Sequence, residues 1–197
     1  MKHVFVETNF LVDLLRPFPA QDAERLFARN GKDVTLYVPW VSLVEVKRTL
    51  DRIIQEDLGF PDTMMRHAGR QTAGASLSKA DHAVLVAFAK ATEKERSSQL
   101  TSIGSRVDGL AKDLIVIEPN KEVIEKTLSV FPVKSLPPFD EMVLGAVLVK
   151  AAAVRASGGT ALYFCNLNKK DFAPKHATLE AEYNACGLTY MASFNVP

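Results

Sequence analysis

Val4-Phe5-Val6-Glu7-Thr8-Asn9-Phe10-Leu11-Val12-Asp13-Leu14-Leu15 joins a strand to a helix through a polar junction. A short run of β-formers, His3 to Val6, stops at the polar group Glu7-Thr8-Asn9, and a short apolar helix, Phe10 to Leu15, follows and ends at Arg16-Pro17. The strand residues are apolar in succession rather than alternately. That pattern belongs to a strand buried on both faces, as in a parallel sheet covered by helices.

The same unit recurs downstream. Asp22 to Asn30 reads as an amphipathic helix with Ala23, Leu26 and Phe27 on one face and Asn30-Gly31 as its C-cap. Val34 to Val38 reads as a second strand. Ser42 opens a helix to about Asp57 with Val46, Leu50, Ile53 and Ile54 as its apolar stripe. Gly59 to Lys79 is the least regular stretch, with Gly59, Pro61, Gly69 and Gly74. Ser78 reads as the N-cap of a long helical segment to about Lys112, which steps through Leu100, Ile103, Val107 and Leu110. Its polar middle, Thr92 to Gln99, is expected to be exposed and leaves room for a helical hairpin.

Leu114 to Ile117, Ala161 to Cys165 and Leu188 to Ala192 complete the strands. Lys121–Val130, Phe139 to Ala156 (stopped by Ser157-Gly158-Gly159) and Thr178 to Cys186 complete the helices. Strands alternating with helices imply βαβ units. The expectation is one three-layer α/β/α, Rossmann-like domain over residues 1–197, with a central parallel sheet and a helical insertion at about 59–112.

Composition narrows the function classes. The chain has 197 residues, 47% of them hydrophobic and 24% charged, and a formal net charge of +1. This describes a globular domain with a real core and no uniformly basic coat for nucleic acid. Two cysteines, Cys165 and Cys186, are too few for a disulfide framework and read as buried thiols. There is no zinc-ligand spacing, no leader-like start, and no apolar run approaching about 18 residues. The expectation is a soluble, cytoplasmic protein.

Ligands of open parallel sheets bind beyond the C-terminal ends of the strands. Acidic and amide residues fall at that edge: Glu7 after the first strand, Glu45 early in the helix after the second, Asp140 in the first turn of a later helix, and Asn166, Asn168 and Asp171 after the fourth strand. Singly, each has an ordinary reading. Ser42-Leu43-Val44-Glu45 fits a capping box, Asp140 suits a helix N-terminus, Glu7 can cap the helix after it, and Asn168 to Asp171 fits a surface turn. Together they form a carboxylate group that cannot stay ionised without a cation. Hard oxygen ligands suit Mg²⁺ or Mn²⁺, which serve phosphoryl chemistry.

Four segments in order resemble the motifs of the PIN-domain family: the opening stretch quoted above, Ser42-Leu43-Val44-Glu45-Val46, Phe139-Asp140-Glu141-Met142-Val143-Leu144-Gly145-Ala146, and Phe164-Cys165-Asn166-Leu167-Asn168-Lys169-Lys170-Asp171-Phe172. The resemblance spans nearly the whole chain. It implies a metal-dependent endoribonuclease like the VapC-type toxins of toxin–antitoxin pairs, which often dimerise. It further implies that Glu7, Glu45 and Asp140 hold Mg²⁺ or Mn²⁺, that Asn168 or Asp171 completes the site, and that Thr8, Asn9 and Asn166 support it. Arg66, Arg70, Lys169 and Lys170 are candidates to grip RNA phosphates, with ordinary surface charge as the bland alternative. Glu7 stands where the family usually has Asp, and Asn168 stands where many members have a carboxylate.

Two other classes fit. A PIN-like RNA-binding or scaffold module with weakened catalysis would bind without cutting. A Rossmann-like phosphohydrolase would need a glycine-rich phosphate loop, and Glu7-Thr8-Asn9-Phe10 has no glycine. His3, His67, His82 and His176 are scattered and take no catalytic role.

Overall fold

The computed structural model describes residues 1–16, 19–73, 78–130, 136–174 and 177–197. Pro17, Gly74 and His176, and the side chains of Ile54, His67 and Leu100, lie outside this description. The elements in chain order are β1 (Lys2–Val6), α1 (Thr8–Leu15), α2 (Gln21–Phe27), β2 (Val34–Pro39), α3 (Trp40–Ala73), α4 (Lys79–Asp113), β3 (Ile115–Ile117), α5 (Lys121–Val130), α6 (Pro138–Ala156), β4 (Leu162–Cys165), α7 (Lys169–Phe172), α8 (Ala177–Cys186) and β5 (Leu188–Met191). They divide into two compact units, Met1–Val46 with Val107–Pro197, and Lys47–Arg106.

The first unit is an α/β structure built on one five-stranded sheet in the order β3-β2-β1-β4-β5. Every pairing is parallel, with His3 opposite both Thr35 of β2 and Leu162 of β4. The chain steps from β1 outward to β2 and β3, then crosses back to place β4 on the other flank of β1. The reversal makes the C-terminal ends of β1 and β4 the natural binding crevice.

Phe5, Tyr37, Leu162 and Phe164 face one core cluster, which they share with Val123 of α5, Val143, Leu144 and Val147 of α6, and Leu179 and Tyr183 of α8. Val4, Val6, Leu36 and Val38 alternate with these residues, are fully buried, and lie outside that cluster. Apolar matter therefore covers both faces, consistent with a three-layer α/β/α arrangement. No helix among the described residues is long and apolar enough to cross a membrane.

α5 packs tightly against α6 at Gly145. A Cβ there would stand 2.2 Å from Thr127 Oγ1 and 2.9 Å from Thr127 Cα. The hydroxyl is itself tied to Val123 O at 2.8 Å, so the clash reaches backbone and cannot rotate away. Gly145→Ala is expected to destabilise the fold by about 1–3 kcal/mol, as overpacking does. Urea unfolding would read the loss, and an unchanged midpoint would contradict this packing.

In the second unit α3 and α4 continue as long helices. Ser78 does cap α4, its Oγ accepting from Asp81 N at 3.1 Å. The polar stretch Thr92 to Gln99 is largely exposed, as expected.

Four local expectations are corrected. α3 starts at Trp40 directly from β2, so Ser42 and Glu45 lie inside the helix and form no capping box. Pro39 ends the strand, and its fixed φ with no N–H to lose suits the step into a helix. α3 also runs through Gly59, Pro61 and Gly69, because helix formers on both sides carry it past them. α4 is unbroken over Thr92 to Gln99, which contains neither Gly nor Pro and is laced by Gln99 to Glu95 at 3.2 Å, so no hairpin forms there. α2 stops at Phe27, three residues before the expected cap. Asn30 instead ties down the start of β2, accepting from Leu36 N at 3.0 Å and donating to Asp113 O at 2.6 Å.

Candidate functional site

Glu7 leaves the end of β1 and caps α1 in an extended conformation, φ −133° and ψ −167°. Its Oε2 accepts from Asn9 N at 3.0 Å, while Oε1 is buried with no partner. Only 6% of the residue is exposed. Burial pushes its carboxyl up to about 8. The Asn9 hydrogen bond opposes that rise, and the charges of Glu45 and Asp140 add to it. Two expected partners thus act on Glu7 through the field they create. Thr8, next along α1, donates its hydroxyl to Glu45 Oε2 and draws the head of α3 toward the end of β1. Asp140 lies half-buried in the first turn of α6.

The second half of the site follows β4. Asn166 is fully buried. Its N–H donates to Met191 O at 3.0 Å, its Oδ1 accepts from Asn168 N at 2.7 Å, and its carbonyl accepts from the Tyr190 hydroxyl at 2.7 Å. One donor is left over, since Nδ2 is buried without a partner. Asn168 precedes α7 and donates Nδ2 to Asp171 Oδ2 at 2.9 Å. The stretch read as a surface turn therefore contains one short helix. Glu7 is among the charges that raise the Tyr190 phenol, after burial, to about 12, which places this arm near the first carboxylate. Against known proteins, no family model matches this chain, and no curated protein matches it.

Glu7, Thr8, Asn9, Glu45 and Asp140 are thus joined by hydrogen bonds or by field, and Asn166, Asn168 and Asp171 form one hydrogen-bonded arm on the neighbouring strand. Lys169 and Lys170 are exposed on α7. Arg66 and Arg70 are exposed on α3 within the second unit, where Arg66 reaches Thr63 Oγ1 at 3.5 Å.

Two further buried polar residues, Ser42 and Glu141, accompany the residues expected from sequence. Among the described residues, four buried side-chain atoms have no hydrogen-bond partner: Glu7 Oε1, Asn166 Nδ2, Ser42 Oγ and Glu141 Oε1. Glu7 and Asn166 follow β1 and β4, Ser42 is in the first turn of α3, and Glu141 is beside Asp140. A buried polar atom left without a hydrogen bond costs about 1–3 kcal/mol, so each of these four atoms is a place where a polar partner would stabilise the fold. Glu141 was visible as an acid in register with Leu144 and Leu148 on a buried helical stripe. Ser42 was hidden by its fit to a cap.

Among the described residues no three Asp, Glu, His or Cys side chains already converge closely enough to hold a metal ion. Glu7, Glu45 and Asp140 could hold one, since their donors are all hard oxygens and Glu7 Oε1 is buried with nothing bound to it. Carboxylates left to themselves repel, and Glu7 relieves this by keeping a proton near neutrality.

Proposed function

We propose that this chain is a PIN-type, Mg²⁺- or Mn²⁺-dependent endoribonuclease, acting in the cytoplasm as the toxin of a toxin–antitoxin pair and as a homodimer. The observation that carries the chemistry is Glu7: a buried carboxyl with one unpartnered oxygen, raised to about 8 partly by Glu45 and Asp140. RNA, the antitoxin partner and the dimer rest on the four-motif resemblance. In this reading Glu7, Glu45 and Asp140 hold the cation, with Asn168 or Asp171 completing the set. When bound, the ion supplies Lewis-acid polarisation of the phosphate and a more acidic water. Thr8 fixes the rotamer of Glu45. Asn166 Nδ2 is a preorganised donor for a phosphate oxygen, and Lys169 and Lys170 offer exposed charge to the backbone of the nucleic acid.

The test is cleavage of a mixed RNA pool with Mg²⁺, Mn²⁺ or EDTA, by wild type and Asp140→Asn. The expected result is metal-dependent cleavage that falls at least about a hundredfold in the variant. A folded wild type that cuts nothing under any metal sinks the nuclease. One feature favours a second reading, a PIN-like RNA-binding module with weakened catalysis: the Asn168 amide donates to Asp171 instead of adding a negative charge. RNA binding without cleavage would select it.

A further inference from the structure

We propose that Tyr183 and Tyr190 form a clamp that positions the Asn168–Asp171 arm of the candidate site, an inference that rests on the functional reading above only for what the arm does. The two rings are parallel within 5°, with centroids 6.3 Å apart. Phe164 meets both edge-on, at 6.3 Å from Tyr183 and 6.2 Å from Tyr190. Each hydroxyl then reaches one end of the same segment. Tyr190 donates to Asn166 O at 2.7 Å, where the arm leaves β4, and Tyr183 donates to Phe172 O at 2.9 Å, where α7 ends.

Between these two fixed carbonyls the segment holds itself through Asn168 N to Asn166 Oδ1, Asn168 Nδ2 to Asp171 Oδ2, and Phe172 N to Asn168 O at 3.1 Å. With both ends pinned, the Asp171 carboxylate and the unpartnered Asn166 Nδ2 keep fixed positions at the sheet edge. Burial holds both phenols protonated well above neutrality, so each remains a donor across the working pH range. The clamp comes from α8 and β5, outside every motif that marks the site in sequence. Phe at either position keeps the ring and the packing and removes only the hydroxyl, which separates positioning from core filling.

The experiment uses the full chain as wild type, Tyr183→Phe, Tyr190→Phe and the double variant. Amide hydrogen exchange is read at Asn168, Asp171 and Phe172 by NMR, and Mn²⁺ binding is measured without RNA by calorimetry. Each lost hydrogen bond is expected to open the arm about fivefold more often, and the double variant about twentyfold. Mn²⁺ affinity in the double variant is expected to fall about tenfold, as when an outer hydrogen bond to a ligand is removed. Tyr37→Phe, whose hydroxyl pairs with His3 Nδ1 at 3.1 Å, moves neither readout. Unchanged exchange in the double variant overturns the clamp. Faster exchange with unchanged Mn²⁺ affinity overturns its role in the site. A wild type that binds no Mn²⁺ sinks the metal reading, while the exchange rates still decide the clamp.

Discussion

Glu7→Gln is expected to abolish a loss of stability that the wild type suffers, in EDTA, between about pH 5 and pH 8. The Glu7 carboxyl has an ordinary value of 4.5 and is raised to about 8 in the fold, first by burial and then by Glu45 and Asp140. Between these values the folded chain keeps a proton that the unfolded chain has released. Glu7 therefore favours folding fully below about pH 4.5, and that contribution drains away as pH rises toward 8. At about 1.4 kcal/mol per pKa unit the swing is on the order of 5 kcal/mol. His3 pulls the other way, because burial and then the N-terminal charge hold its imidazole below the usual value. The comparison with Glu7→Gln cancels that contribution. Urea unfolding at several pH values would measure the difference. Adding Mg²⁺ or Mn²⁺ is expected to restore stability near pH 8, where the cation replaces the proton. Parallel pH profiles for wild type and variant would mean that Glu7 is not buried among like charges.

Phe164→Ala is expected to cost about 3–5 kcal/mol, the range for emptying a large aromatic from a core. Phe164 is fully buried in β4. It packs edge-on against Phe172 at 5.4 Å and against Tyr183 and Tyr190. Its removal takes the floor from beneath α7 and from between the two tyrosines. A denaturation midpoint within about 1 kcal/mol of wild type would show that the surrounding rings collapse into the space.

The five strands were legible because Val, Phe, Leu and Tyr run in succession between turn residues, and a strand buried on both faces has that signature. Glu7 and Glu45 were legible as site candidates because the chain leaves β1 and β2 there. What the sequence hid was context. Ser42 and Glu45 have the same spacing at a helix cap and inside a helix, and only the loop-free junction at Pro39 distinguishes the two. Pro61 signals a break that its neighbours override. The raised carboxyl of Glu7, the Thr8–Glu45 bond and the tyrosine contacts depend on residues far apart in the chain, beyond the reach of any local pattern.

The strand order also governs when the candidate residues can come together during synthesis. β1 can pair with β2 soon after Pro39 is made, but its other flank stays open until β4 arrives, with His3 opposite Leu162 and Val6 opposite Cys165. The Asn166–Asp171 arm follows β4 directly and is made only after it. A nascent chain still emerging from the ribosome therefore carries Glu7, Glu45 and Asp140 before the Asn166–Asp171 arm exists, and the sheet is completed only after most of the protein has been translated.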